Sequence, residues 1–244
     1  MSPGRSGITH PLAAVRPGRR SLVGVRCLNR AVQTMPRAEI WAAIHRERAA
    51  LADELTCLTP QQWSAPSLCG RWSVQEVVAH LTAAASTGRL RWIRSMLGAR
   101  FDADLHNQRR MREHLGTGPA ETLERFRATV TNTTAPSGHT PAWLGEVVVH
   151  GSDIRYPLGL AGTPALSAVT EVARFFAARD FTVSGRTATA GLHLQATDGP
   201  FDTGTGPSVR GSTLALVMAM AGRAEYCAEL SGPGVATLRE RIGG

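Results

Sequence analysis

The sequence predicts an α+β protein: a bundle of four helices comes first, then a smaller region in which strands and helices mix. Two observations carry this. From Pro36 to Pro157 apolar residues recur at helical spacing behind repeated start signals, with mostly short connections. From Ala188 onward the period drops to two, with Ala188, Ala190, Leu192, Leu194 and Ala196 alternating with polar or small residues. The expected division is a basic tail over 1–34, a bundle over 35–164 and a small α+β domain over 165–244.

The first helix follows from Ile40, Ile44, Leu51, Leu55 and Leu58, with Arg and Glu between them. Thr59-Pro60-Gln61-Gln62 reads as a capped restart with proline at the first helical position, and Pro66 to Gly70 as loop. Ser73 and Glu76 form an S-x-x-E capping box, flanked by Trp72 and Val77 as a hydrophobic staple, so the second helix starts at Ser73. It carries Val74, Val77, Val78 and Leu81 on its core side and His80 about two turns in. Gly88 is expected to bend it before a basic stretch, Arg89 to Arg94, that keeps helical spacing. After a polar stretch, Gly118-Pro119 opens a third helix through Leu123, Phe126 and Val130, ended by the turn residues Asn132 to Gly138. Thr140-Pro141 opens the fourth, with Trp143, Val147, His150 and Ile154, closed by Pro157 and Gly159. Beyond it lie a helix from Thr163-Pro164, a strand over 188–196, a second from Phe201 to Val209, and helical patterns at Leu214–Ala221 and Val235–Ile242.

Composition narrows the function classes. The formal net charge is +8, but residues 1–34 hold six arginines and no acid, so the remaining 210 residues carry only +2. The basic signal is therefore a tail, not a nucleic-acid-binding patch, and no nucleic-acid partner is expected. That tail reads as disorder ahead of Met35; an organellar transit peptide is the other reading. No uncharged apolar run approaches a membrane span, so no membrane partner is expected. Four cysteines (Cys27, Cys57, Cys69, Cys227) without CxxC spacing fit a reducing, cytoplasmic location.

The chemistry-bearing pattern sits on the fourth helix. Glu146 and His150 are four residues apart and Asp153 is three further on, so all three project from one face. Imidazole and carboxylate both suit zinc, and catalytic zinc sites typically pair three protein ligands with one open position. The third ligand should come from a facing helix, since bundle sites are built that way. His80 fits best, mid-helix among Val77, Ala79, Leu81 and Ala84. Glu76, four residues before His80, is already used by the capping box. Asp153 reads as a hydrogen-bond partner of a ligating histidine; a fourth ligand or a solvated helix-end acid are the alternatives.

The run Leu58 to Trp63, then Pro66-Ser67-Leu68-Cys69-Gly70-Arg71-Trp72-Ser73-Val74 through Ala79-His80-Leu81, resembles the first-domain pattern of the mycothiol-dependent maleylpyruvate isomerase family. Glu146 through Arg155 is similar to that family's second pattern. Ala196-Thr197-Asp198-Gly199, Gly204-Thr205-Gly206, Val209-Arg210-Gly211, Ala221-Gly222-Arg223 and Leu230-Ser231-Gly232 resemble its smaller domain. The resemblance covers nearly everything after Met35. It implies a DinB-like four-helix bundle followed by a sterol-carrier-like α+β domain, with His80, Glu146 and His150 as ligands to a divalent metal such as zinc. It also implies mycothiol as thiol cosubstrate, a small electrophilic substrate, and an arginine reaching the site from the small domain. Arg223 matches that arginine, with Arg210 as the alternative; a surface salt bridge is the bland account of either. The expected reaction is thiolate addition, bond rotation and elimination. S-transfer to an electrophile is the rival, and a non-catalytic, metal-stabilised small-ligand module the reading from another class. Cys69 is expected to pack rather than react, because the thiol arrives with the cosubstrate.

Overall fold

The computed structural model describes residues 34–70 and 72–243. The basic tail, Thr34 apart, and Cys27 lie outside these residues. The first helix, α1 (Arg37–Leu55), begins behind Pro36 and buries Ile40, Ile44, Leu51 and Leu55 on one stripe. Each such aliphatic side chain contributes about 1.5–3 kcal/mol of burial. A short α2 (Pro60–Ser64) follows, with the capping box formed as the sequence indicates: Thr59 accepts from the Gln62 backbone while Gln62 accepts from the Thr59 N–H. The same reciprocal arrangement starts α3 (Val74–Ser86), where Ser73 and Glu76 cap each other and Val74, Val77, Val78 and Leu81 turn inward.

Where the sequence suggested a bent helix, the chain instead breaks. Thr87 adopts an extended conformation and Gly88 serves as N-cap of a separate α4 (Arg89–Gly98). None of the α4 residues is buried, and Leu90, Leu97 and, just beyond, Phe101 face outward. The polar stretch that followed is also helical: Asp102 caps α5 (Ala103–His114) by accepting from the Leu105 N–H. Then come α6 (Pro119–Arg127) and α7 (Thr140–Leu158), both with proline in the first turn. Gly159 ends α7 with φ of 61°, in the left-handed region, and Pro157 fits inside the last turn.

Helix α3 packs against α5, α6 and α7, while α1 packs against α6 and α7, so α1, α3, α6 and α7 make the bundle. The linker after α7 leads to α8 (Leu166–Ala178), and the backbone N–H of Ala165, just before the helix, donates to the buried Glu47 carboxylate of α1 (2.9 Å). Helix α8 lies between α7 and the C-terminal helix α10 (Thr213–Met220). At its crossing with α7, a Cβ on Gly145 would come within 2.8 Å of the Phe176 ring, so glycine permits that approach.

The expected strand over 188–196 forms only at its end. Gly185–Ala188 makes one helical turn, α9, and β1 spans His193–Ala196. The single second strand is two: β2 (Asp202–Gly204) and β3 (Ser208–Gly211). Gly204 divides them, with φ of 80° and its α-carbon so close to the Leu192 carbonyl that a Cβ would clash at 2.2 Å. The sheet order is β2-β1-β3, antiparallel then parallel, with Leu194 of β1 paired to Thr203 and Val209. Leu194 and Val209 are buried, and both strands pack against α10. A 3-10 turn at Ala224–Glu229 and α11 (Val235–Ile242) complete the chain. One hydrophobic core runs from the bundle into this C-terminal region. Among the described residues no helix is long and apolar enough to cross a membrane.

Candidate metal centre

Three side chains proposed from sequence converge here. His80 comes from α3, where the capping box at Ser73 and the buried valines fix the helix rotation; Glu146 and His150 come from successive turns of α7. Nε2 of His80 and Nε2 of His150 each lie 3.4 Å from the same Glu146 oxygen, Oε2. The two imidazoles meet edge to face, with centroids 4.8 Å apart, and the Trp72 indole covers the His80 ring at 4.9 Å.

Those separations discriminate between two accounts. A charge-assisted hydrogen bond to a carboxylate is about 2.7–2.9 Å. Ligands held about 2.0–2.2 Å from a tetrahedral metal sit roughly 3.3–3.6 Å from one another, along the tetrahedron's edges. The two 3.4 Å distances match the second case, and one donor atom from each of the three residues lies within 4.8 Å of the others. The residues therefore fit a divalent ion of the zinc type in number, chemistry and spacing. His80 Nδ1 is buried without a partner among the described residues, which leaves Nε2 as its working nitrogen.

Behind the triad lies a second layer. Nδ1–H of His150 donates to Asp153 Oδ2 (2.9 Å), which directs Nε2 toward Glu146. Asp153 is fully buried, and Arg223 grips it with two bonds, Nε to Oδ1 at 2.9 Å and Nη2 to Oδ2 at 2.6 Å. Arg223 also donates to the Ala221 carbonyl, at the end of α10. The C-terminal region thus reaches the α7 histidine through one carboxylate. Arg210, in contrast, stands exposed on β3, its backbone paired with Ser231.

The electrostatics follow from burial and pairing. Burial pushes the Glu146 carboxyl up, but the His150 and His80 rings beside it outweigh that penalty and hold the group well below the usual carboxylate range. Burial lowers His80 further than Glu146 raises it, so that imidazole is kept neutral, the form a metal requires. His150 is also depressed by burial, yet its bonds to Asp153 and Cys69, with the Glu146 carboxylate alongside, prevail and raise it well above 6.5. In Asp153 the burial penalty is overcome by His150 and Arg223, and the carboxyl stays below 3.8.

One contact was not foreseen: the Cys69 thiol, from the loop before α3, approaches His150, and Cys69, His150 and Asp153 form a second cluster of possible donors. Asp153 is already committed to Arg223 and His150, so this cluster lacks a free carboxylate. The loop's position gives the contact, because the Leu68 backbone N–H bonds the Asp153 carbonyl at 3.0 Å. His106 also lines a cavity shared with His80 and Glu146.

Residues 44–155 match the family model of the mycothiol maleylpyruvate isomerase N-terminal domain. A crystal structure of the mycothiol-dependent maleylpyruvate isomerase superposes with a TM-score of 0.58 at 14% identity, covering 82% of this chain and 93% of that one. A mutant of that isomerase superposes with a TM-score of 0.56 over the same shares. At such identity these likenesses speak to the fold, an α+β arrangement with a helical bundle, as expected from sequence. No curated protein sequence matches the chain. The segment that carries His80, Glu146 and His150 is thus similar to the mycothiol maleylpyruvate isomerase N-terminal domain.

Proposed function

We propose that the chain is a metal-dependent, mycothiol-using enzyme, with zinc or a similar divalent ion held by His80, Glu146 and His150. The observation that carries this reading is the spacing of their donor atoms, too long for charge-assisted hydrogen bonds and right for the edges of a tetrahedral site. When bound, the metal supplies positive charge that favours a thiolate over a thiol. The protein's own residues do the rest of the work. Asp153 holds the Nδ1 proton of His150 and leaves Nε2 free to ligate. Arg223 keeps Asp153 ionised in a buried position, and acts as a positioning residue from the C-terminal region. Arg210 is exposed on β3, and among the described residues it makes no comparable contact that would support a role. The proposed division at about residue 164 places ligands on one side and this arginine on the other, in the linker between α7 and α8.

Two reactions use these parts. In the first, sulfur adds to the activated double bond of maleylpyruvate, the resulting single bond rotates, and elimination returns the thiol with the trans product. In the second, sulfur stays on an electrophile. Incubating the metal-loaded protein with mycothiol and either maleylpyruvate or an electrophile separates them by a thiol count. Catalytic isomerisation leaves free thiol unchanged, whereas transfer consumes one thiol per product. Absence of thiol-dependent turnover with both classes would contradict the enzyme reading. A cytoplasmic location belongs to the same proposal, since the thiol is a reduced cosubstrate.

Proton competition offers a further check. His150 without metal holds its proton above the usual 6.5, and coordination needs the neutral ring. Metal binding should therefore release a proton, and affinity should weaken as pH falls through that raised value and strengthen as pH rises past it. Calorimetric titrations in buffers of different ionisation enthalpy would read the proton release directly; pH-independent affinity between 6 and 8 would contradict it.

A further inference from the structure

Two cavities meet at His80, and their linings differ in kind. One, of about 550 Å³, is bordered by Cys69, Asp102, Asp104, Gln108 and His150, a surface rich in hydrogen-bonding groups. The other, of about 500 Å³, reaches His80 and Glu146 along a wall of Ala83, Ala84, Trp92, Trp143 and Phe181. Ala83 and Ala84 lie three and four residues past His80, hence on the same face of α3, and their small side chains leave the space open. Trp143 spends its indole N–H on the Ser137 carbonyl (3.1 Å), so it presents only ring surface. A cavity of this size, apolar with a few placed polar groups, is what small-molecule sites look like.

We propose that this apolar cavity binds the second substrate of a thiol transfer: a flat, aromatic or conjugated electrophile carrying one anionic or hydrogen-bond-accepting group directed at Arg110. The proposal rests on the metal-and-thiol reading above and selects S-transfer over isomerisation of a small dicarboxylate. Arg110 is the one arginine among the described residues of that wall. Its Nη2 is paired with Glu113, one turn further along α5. One guanidinium already paired with a carboxylate suits a single acceptor on an apolar body. In the transfer, the thiol sulfur bonds the electrophilic carbon, the leaving group departs with the electrons of its bond, and the thiol proton passes to solvent. On a conjugated alkene, the displaced pair takes a proton at the neighbouring carbon instead.

Binding can be scored without turnover, by calorimetric titration of the metal-loaded full chain with three unreactive probes: 3,5-dinitrobenzoate, 1,3-dinitrobenzene and maleate. The expected order puts dinitrobenzoate at least about tenfold tighter than maleate, a difference of 1.4 kcal/mol. Ala84→Trp, which fills the space from a half-buried position, should weaken both aromatic probes by about tenfold or more at unchanged metal content. Should that variant fold poorly, Phe181→Ala, at a residue 48% exposed, should weaken the same two probes by several-fold. Arg110→Gln should weaken dinitrobenzoate alone. Tighter binding of maleate, or aromatic binding indifferent to these variants, would overturn the proposal. Aromatic binding as expected, in a protein that never consumes mycothiol, would instead count against the enzyme reading on which it rests.

Discussion

His150→Ala is expected to lose stoichiometric metal, with affinity reduced by more than about 100-fold, while the helical circular-dichroism signal persists. The magnitude follows from what the substitution removes. Losing an outer hydrogen-bond partner of a ligand already costs roughly 10–100-fold in metal affinity, and His150 supplies the ligand itself. The helix should survive because α7 is held by Leu144, Val147, Val148 and Ile154, all buried and none in the site. His80→Ala should behave alike, from the opposite helix. Glu146→Gln should fall between, since an amide oxygen can still coordinate but brings no negative charge to the ion. Competition with a chromophoric chelator would rank the three variants. Retention of full affinity in either histidine variant would remove that residue from the ligand set.

The second large effect concerns stability more than affinity. Arg223→Met is expected to destabilise the protein by about 1.5–3 kcal/mol, because the buried Asp153 carboxylate loses both guanidinium bonds and keeps only the His150 ring. Asp153 is fully buried, so discounting for solvent is small here, unlike the exposed Arg125–Glu121 pair on α6, whose net worth is about 0–1 kcal/mol. Changing both partners, Asp153→Asn with Arg223→Met, should recover part of the loss, since no charge is then stranded. The pH dependence has a definite sign. Asp153 is held below its usual 3.8 in the folded wild type, so its stabilising contribution is present above that value and fades as pH falls through the lower folded one. Without Arg223 the folded carboxyl rises and protonates earlier, so the deficit should be largest near neutrality and shrink in acid. Urea denaturation of the metal-free proteins at several pH values measures this. A deficit under 1 kcal/mol, or one that grows in acid, would show that the pair does not hold the buried charge.

Much of this was readable in the chain, for identifiable reasons. The capping boxes at Thr59–Gln62 and Ser73–Glu76 are local, spanning three residues, and both form. Glu146 and His150 share a face by helical geometry alone, so their pairing needed no tertiary information. Other features depended on contacts that sequence spacing does not encode. Helix α5 gives little signal in sequence because its Ala103–His114 run holds few apolar residues; it buries only His106 and Met111 and gains its start from Asp102. The break at Thr87 and Gly88 looks like a continuing helix, since Leu90, Ile93 and Leu97 keep the period, yet that stripe faces outward. The strand expected from Phe201 to Val209 is divided by backbone crowding at Gly204, a clash visible only once Leu192 lies alongside. The approach of Cys69 to His150 and the grip of Arg223 on a carboxylate 70 residues earlier are likewise products of the assembled fold. Resemblance to a family nominated Arg223 without saying what it touches.

Binding of a single ion by three side chains is tested most directly by X-ray absorption at the zinc edge, on wild-type protein loaded to saturation and assayed for metal content. One zinc per chain, in a shell of nitrogen and oxygen at about 2.0–2.2 Å with two imidazoles resolved, is the predicted result. Less than half an equivalent of metal after loading, or a shell dominated by sulfur at about 2.3 Å, would contradict it.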